Sequence, residues 1–200
     1  MKSLKGKLFV ISAPSGSGKT TLCKRLLEDN LGLAHSISMT TRLPRPGEKG
    51  SVDYYFVSRR YFCQMIKKRA FLEYEDNFGY FYGTPKRFIK DKLKEDAPVL
   101  LSIDVKGAMK IKKIYPKNSI LIFILPPSID SLRKRLSQRM SEGQSSISKR
   151  LGIARREMAY KDRYDYRIVN DQLERAYRKL KKIIVSEMNN QKEGIWRMYR

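Results

Sequence analysis

The sequence predicts an α/β fold in which a parallel sheet has helices on both faces. Apolar runs with the length of buried strands occur at 8–11, 99–104, 120–125 and 166–169, and helical spacing follows each of them. Strands that alternate with helices favour parallel pairing. The stretch from 36 to 84 is aromatic and β-like, and it departs from the alternation. It is therefore predicted to be an insertion of mixed α/β structure.

Local signals predict the elements of the insertion. After a short run at 35–38, prolines and a glycine indicate a loop at 41–48, and 53–57 is β-like. Ser58 suits the N-cap of a helix that ends near 69. Residues 72–76 and 80–82 flank Asn-Phe-Gly, a pattern that predicts a hairpin. Pro85, after a threonine, is predicted to be the first residue of the next helix.

Further helices are predicted from about 107 to 114, from 129 to 140, from 147 to 160, and after 171. The segment 141–146 is small and polar, so we expect it to be mobile. The residues from 189 onward are expected to be a loose tail.

Composition limits the classes of protein to consider. Two hundred residues, 41% of them hydrophobic, fit one globular domain. The apolar runs are too short to span a membrane, so no membrane partner is expected. Cys23 and Cys63 are far apart in sequence, which predicts neither a disulfide nor a metal pair. The expected location is a reducing cytoplasm.

The chain is strongly basic, with 43 Lys and Arg against 20 Asp and Glu and a net charge of +23. These residues lie in stretches such as 86–90 and 178–182, which are typical of the solvated faces of amphipathic helices. No aromatic stacking motif accompanies them. We therefore expect weak, salt-sensitive binding to nucleic acid and no dedicated nucleic-acid partner.

A glycine-rich segment lies between the first strand and the first helix, where a phosphate-binding loop is expected. Gly16 and Gly18 can adopt backbone angles closed to other residues and let amides approach phosphate oxygens. Lys19 can reach the outer phosphates, and the Thr20 hydroxyl can bind the Mg²⁺ that accompanies them. The loop's usual first glycine is replaced by an alanine. The predicted site for ATP is Ala13, Pro14, Ser15, Gly16, Ser17, Gly18, Lys19 and Thr20.

The insertion contains groups suited to a mononucleotide. Arg42 and Arg45 lie on one proline-stiffened loop and can bind a phosphate. The carboxylate of Glu73 can accept hydrogen bonds from N1–H and the N2 amino group of guanine, which adenine lacks. The insertion also offers the hydroxyl groups of Tyr54, Tyr82, Ser38 and Thr84.

With these motifs the sequence resembles the guanylate kinase family. Within the phosphate-loop nucleoside monophosphate kinases, it is similar to the bacterial-type GMP kinases. The resemblance runs over almost the whole chain, and the order and spacing of its motifs are specific. They are the segments 12–20, 38–48, 53–57, 71–73, 82–84, 126–128, 150–151 and 168–171.

The resemblance implies one guanylate-kinase-like domain in three parts, a monomer or small homo-oligomer. The parallel core would comprise 1–35, 85–128 and 147–188, the GMP-binding insertion 36–84, and a small helical lid about 129–146, with 189–200 as the tail.

The resemblance also implies a role for individual residues. GMP-phosphate ligands would be Arg42, Arg45, Tyr54 and Tyr82, and the guanine would be read by Ser38, Glu73 and Thr84. Asp104 would be a further GMP-binding residue. Asn170 would lie on the adenine side of ATP. The catalytic residues would be Lys19, Arg42, Arg135, Arg139 and Arg150.

Three positions depart from the family pattern. Ser102 replaces the first residue of a usual Asp-x-Asp, which leaves the contact of that Asp open. Met140 stands where glycine often follows the lid arginine, and Ser51 replaces a glycine that Gly50 can compensate.

The implied reaction is Mg²⁺- and ATP-dependent phosphorylation of GMP, with dGMP as a second acceptor, to give GDP and ADP by direct in-line transfer. It would serve purine nucleotide metabolism and GMP recycling. Three alternatives stay open: a kinase for AMP, CMP or UMP, a catalytically dead module that binds proteins, and a nucleic-acid-binding protein. Glu73 argues against a kinase for AMP, CMP or UMP, and the intact phosphate loop argues against a catalytically dead module.

Overall fold

The computed structural model describes residues 6–77, 79–138 and 144–197, the side chains of 144–146 and 190–197 excepted. It has the predicted class of fold, a parallel sheet with flanking helices. The strands are β1 Leu8–Ser12, β2 Ala34–Ser36, β3 Met39–Thr40, β4 Tyr55–Phe56, β5 Phe71–Asn77, β6 Tyr80–Pro85, β7 Val99–Ser102, β8 Ser119–Leu125 and β9 Tyr166–Val169. The helices are α1 Lys19–Glu28, α2 Arg59–Lys67, α3 Lys86–Lys94, α4 Val105–Ile114, α5 Ile129–Gln138, α6 Gln144–Met158 and α7 Leu173–Arg197, with a 3₁₀ turn at Lys161–Arg163.

The strands form two sheets. One has five strands in the order β2-β7-β1-β8-β9, and the other has four in the order β4-β3-β6-β5. In the first sheet β2 is parallel to β7 and β8 is parallel to β9. Contacts divide the chain into two compact units, one of Met1–Leu8 with Gly32–Ser119 and one of Phe9–Leu31 with Ile120–Arg200.

The first unit contains the four-stranded sheet and the helices α2, α3 and α4. The predicted hairpin is confirmed as β5 and β6, which pair antiparallel around the turn at Gly79. Ser58 caps α2 as predicted, because its hydroxyl accepts a hydrogen bond from the Tyr61 N–H. The aromatic rings of Phe62 and Phe71 stack with centroids 4.5 Å apart, and Phe81 stacks on Phe62 at 5.3 Å. These rings form the apolar core between α2 and the sheet.

The second unit contains α1, α5, α6 and α7. A buried cluster of Leu132, Leu136, Leu151 and Ala154 holds α5 against α6. Helices α1 and α7 are joined by ion pairs, at 2.6 Å between Arg25 and Glu174 and at 2.7 Å between Asp29 and Lys181.

Three expectations about element ends were wrong. Helix α6 begins at Gln144, inside the segment expected to be mobile, and α7 continues to Arg197, through most of the expected tail. Neither segment contains a proline, so polar composition alone did not end a helix there. Strand β6 includes Pro85, and α3 begins one residue later than predicted. Residues 141–143 lie outside the described part of the chain.

No helix in the described ranges is both long enough and apolar enough to cross a membrane. The division of the chain into core, insertion, lid and tail stays a prediction.

We expect Phe62→Ala to lower the free energy of unfolding by about 3–5 kcal/mol, because it removes a fully buried ring on which Phe71 and Phe81 stack and leaves a cavity. Tyr61→Ala is the matched control. Tyr61 neighbours Phe62 in sequence but is 46% exposed, and a surface change costs at most about 0.5 kcal/mol. Urea unfolding of both variants measures the difference. Equal effects would mean that the ring cluster does not stabilise this unit.

Candidate active site

The glycine-rich loop leads from β1, which ends at Ser12, into α1, which begins at Lys19. Gly16 and Gly18 have φ angles of +89° and +87°, in the region that favours glycine. Gly18 is also the N-cap of α1, and no side chain caps that end of the helix. The loop therefore presents the amides and the positive end of a helix, which is an arrangement suited to phosphate.

Asn170 closes the loop from one side. It follows β9, its amide Nδ2 donates to the Ser17 carbonyl at 2.8 Å, and its own backbone N–H donates to the Leu125 carbonyl at 2.8 Å. A Cβ atom at Gly18 would collide with the same Nδ2. A Cβ at Gly16 would lie 3.1 Å from Leu side chains of α5. The positive φ angles favour glycine at both positions, and packing against Asn170 adds a second reason at Gly18.

The second unit has a cavity of 290 Å³ beside this loop. Arg135 lies in its wall, and its Nη2 donates to the Asn170 carbonyl at 2.9 Å. The Ser17 hydroxyl is buried and has no hydrogen-bond partner within the described ranges. The cavity is lined by Gly16, Gly18, Thr21, Arg135, Gln138, Asn170 and Leu173.

The structure thus brings Arg135 and Asn170 to the predicted phosphate loop. Lys19 and Thr20 are the first two residues of α1, and Thr20 is exposed. Arg150 lies on α6 and is half-buried. Arg139 and Met140 lie outside the described residues.

The first unit brings together the predicted mononucleotide residues at two places, the first of which surrounds Arg42. The guanidinium Nε donates to the Tyr82 hydroxyl at 3.2 Å, and Nη2 lies 2.9 Å from both carboxylate oxygens of Glu48. The Tyr54 ring centroid is 5.5 Å from the guanidinium carbon. Burial acts to lower the pKa of Arg42, but the hydrogen bonds to Glu48 and Tyr82 outweigh it and raise that pKa.

The sequence pattern indicated no role for Glu48, although this residue ends the motif at 38–48. It also accepts a hydrogen bond from the Arg45 backbone N–H at 2.8 Å, while the Arg45 side chain is exposed. Its position three residues after Arg45, in a proline- and glycine-rich turn, was the available signal.

Burial raises the pKa of the Tyr54 hydroxyl, so that group is a neutral donor near pH 7.

The second place is formed by Glu73 and the residues around it. Glu73 on β5 is 6% exposed and accepts a hydrogen bond from the hydroxyl of the fully buried Thr84 on β6. Burial raises the pKa of Glu73 to about 7, and the charges of Asp104 and Glu75 act in the same direction, while the Thr84 bond opposes them. Ser38, also buried, precedes β3.

Helix α4 contributes two residues to the surroundings of Glu73. A Cβ at Gly107 would lie 2.7 Å from Glu73 Oε2, so any other residue there would displace the carboxylate from its present position. Asp104 caps α4 through Oδ1, which accepts from the Gly107 N–H at 2.8 Å, and its Oδ2 accepts from Asn77 Nδ2 at 2.5 Å. The sequence pattern indicated Asn77 only as a turn residue.

No group of three or more His, Cys, Asp or Glu side chains that could hold a metal ion occurs in the part of the chain that the structure describes.

Comparisons with known proteins agree with this geometry. The guanylate kinase family model matches residues 5–187. The guanylate kinase of Caldanaerobacter subterraneus subsp. tengcongensis is 44% identical over 182 residues, which cover 91% of this chain and 88% of that protein. The guanylate kinase of Carboxydothermus hydrogenoformans is 45% identical over 183 residues, which cover 92% and 89%.

A solved structure supports the same conclusion. The crystal structure of guanylate kinase from Anaplasma phagocytophilum matches with a TM-score of 0.78 and 35% identity, and the match covers 91% of this chain and 86% of that one. The resemblance first seen in the motifs is thereby confirmed over nearly the full sequence, and the chain belongs to the guanylate kinase family.

Proposed function

We propose that this protein transfers the γ-phosphoryl group of ATP to GMP and releases ADP and GDP. Family membership gives the class of reaction. The observation that carries the choice of acceptor is the buried Glu73 carboxylate beside the Thr84 hydroxyl. A carboxylate accepts from both guanine N1–H and the N2 amino group, whereas the corresponding edge of adenine has no donor at N1 and no amino group at C2.

In this proposal the acceptor phosphate binds Arg42, Arg45, Tyr54 and Tyr82. The two tyrosines and Arg42 already form one cluster, and two arginines provide the charge and the paired N–H groups that a phosphate monoester needs. Ser38 and Asp104 join Glu73 and Thr84 around the base.

ATP binds the phosphate loop at residues 13–20, with Asn170 on its adenine side. The phosphates meet the amides of the loop and the Lys19 ammonium, and the buried Ser17 hydroxyl provides an additional donor. The exposed Thr20 hydroxyl, at the first turn of α1, suits a ligand of the Mg²⁺ that enters with ATP. When bound, that ion offsets charge on the β- and γ-phosphates.

The transfer needs no general base. An oxygen of the GMP phosphate is already ionised, so it forms the new P–O bond while the bond from the γ-phosphorus to the ADP oxygen breaks. Catalysis is then alignment plus neutralisation of the transferring charge. Lys19, Arg42, Arg135, Arg139 and Arg150 supply that neutralisation.

We also propose that dGMP is an acceptor, because every contact assigned above goes to the phosphate or the base. The enzyme would act in the cytoplasm, in purine nucleotide metabolism and GMP recycling, as a monomer or small homo-oligomer.

Lys19→Ala should lower turnover by at least about 10³-fold, because it removes a positive charge from the transferring phosphates. The fold should be unchanged in circular dichroism and thermal unfolding. Lys24→Ala, an exposed lysine on the same helix, is the control and should keep turnover within twofold. If Lys19→Ala keeps turnover within tenfold of the parent protein, the ATP site is assigned wrongly.

Glu73→Gln should lower kcat/KM for GMP roughly 30- to 1,000-fold, which corresponds to a loss of about 2–4 kcal/mol in transition-state stabilisation. The reason is that the amide NH₂ turns a donor toward guanine donors. Coupled assays of ADP release with GMP, dGMP, IMP, AMP, CMP and UMP give the acceptor range. In the parent protein, kcat/KM for GMP should exceed kcat/KM for AMP by about 10⁴-fold.

The parallel change Glu75→Gln is the control, since Glu75 lies on the same strand and pairs with Lys110 at 2.5 Å. Glu75→Gln should leave the ratio of kcat/KM for GMP to kcat/KM for IMP (the GMP-to-IMP ratio) almost unchanged. Equal activity with AMP and GMP in the parent protein would identify a different mononucleotide kinase, and a GMP-to-IMP ratio unchanged by Glu73→Gln would mean that Glu73 does not read the base.

The raised pKa of Glu73 predicts two pH effects of opposite sign. Only the ionised carboxylate accepts both guanine donors, so kcat/KM for GMP should rise as pH passes through about 7. The folded-state pKa lies above the unfolded value near 4.5, so this group's contribution to stability is full below pH 4.5 and is lost by about pH 7.

Glu73→Gln separates both effects from other titrations, including that of the GMP phosphate near pH 6. Relative to the variant, the parent protein should lose on the order of 3 kcal/mol of unfolding free energy between pH 4.5 and 8. Parallel stability curves for the two proteins across this range would contradict the assignment of a buried, titrating Glu73.

A further inference from the structure

The Asp104 carboxylate accepts hydrogen bonds from two different elements of the first unit. Its Oδ1 accepts from the Gly107 N–H within the cap of α4, and its Oδ2 accepts from the Asn77 side chain at the end of β5. The first bond is internal to the helix start. The second joins residues 27 positions apart in sequence and ties this carboxylate to the hairpin.

The same hairpin carries Glu73, four residues before Asn77 on β5. Asp104 lies close enough to Glu73 for its charge to affect that carboxylate. The Glu73 carboxylate in turn lies beside Gly107 of α4, where it occupies the space that a Cβ would need. Asn77 therefore fixes one acidic side chain relative to the strand that carries the other.

Two carboxylates near one base must be held apart and aimed, because their charges repel and each prefers to turn toward solvent. Guanine offers three N–H groups on its N1–N2 edge. The Glu73 carboxylate can accept from N1–H and one N2–H while it also accepts from Thr84, which leaves the other N2–H for a second acceptor. A second carboxylate is useful there only if its direction is fixed. An amide donor on one of its oxygens fixes that direction and leaves lone pairs on both oxygens for other donors.

We propose that Asn77 is a positioning residue for guanine selection, which orients the Asp104 carboxylate toward the exocyclic N2 amino group. This inference rests on the proposed function, and it adds a residue for which the sequence pattern gave no role. Asn77 touches no reacting atom and acts through Asp104.

The test is steady-state kinetics of Asn77→Leu and Asn77→Asp with GMP and IMP, which lacks the N2 amino group. Leucine keeps the branched shape and the number of heavy atoms and removes the donor, so KM for GMP should rise about tenfold while kcat changes less than twofold. The GMP-to-IMP ratio of kcat/KM should fall at least about fivefold, because IMP does not use the contact. Aspartate places a second acceptor against Asp104 and should lower the ratio further.

Asp76→Asn is the matched control, since Asp76 neighbours Asn77 and its carboxylate accepts from the Gly79 N–H inside the turn. It perturbs the hairpin without touching Asp104, so the GMP-to-IMP ratio should stay within twofold. Thermal unfolding of every variant shows whether a change in the ratio follows a loss of structure.

The outcomes distinguish a failure of the role proposed for Asn77 from a failure of the proposed function. A parent protein that prefers GMP over IMP, with both Asn77 variants folded and the preference unchanged, overturns the role of Asn77 and leaves the proposed function intact. A parent protein without GMP phosphorylation overturns the proposed function itself. If Asn77→Leu is unfolded, the nearly isosteric Asn77→Asp decides by the same ratio.

Discussion

The burial of the Glu73 carboxylate constrains the rest of the first unit. A charge removed from water is costly unless it is paired or protonated, and here burial is the largest influence on its pKa. Thr84 lies directly across the ladder from Glu73, and the absence of a side chain at Gly107 makes room for the second carboxylate oxygen. The hairpin register and the start of α4 are thus both matched to one acidic side chain.

The phosphate loop of the second unit depends on a different constraint, which is close packing around glycine. The Asn170 amide occupies the space that a Cβ at Gly18 would need, and it donates to the Ser17 carbonyl at the same time. Arg135 donates to the Asn170 carbonyl. One asparagine after the last strand therefore connects the loop to a cation, and the loop shape does not depend on the backbone alone.

Much of this arrangement could be predicted from the sequence, because its signals are local. The strand periods, the hairpin around residues 77–79 and the cap at Ser58 all follow from neighbouring residues, and Glu73 and Thr84 were expected from their chemistry. Helix ends at 144 and 197 were missed, since polar residues without proline can continue a helix when neighbours support it.

The pairings of Arg42 with Glu48 and of Asp104 with Asn77 were missed for another reason. They depend on side-chain directions, and in the second case on the contact between a strand and a helix that are distant in sequence. A pattern of residue types contains neither piece of information.

The ion pair between Arg42 and Glu48 has a consequence for how an anion enters the first unit. Each partner side chain is less than 20% exposed, so the guanidinium is already neutralised by the protein instead of by mobile ions from the solvent. A phosphate that binds Arg42 exchanges one anion for another and releases few counterions. For this contact, affinity should depend on ionic strength far less steeply than the chain's net charge of +23 suggests. Attraction over a distance and recognition at the site are therefore governed by different charges.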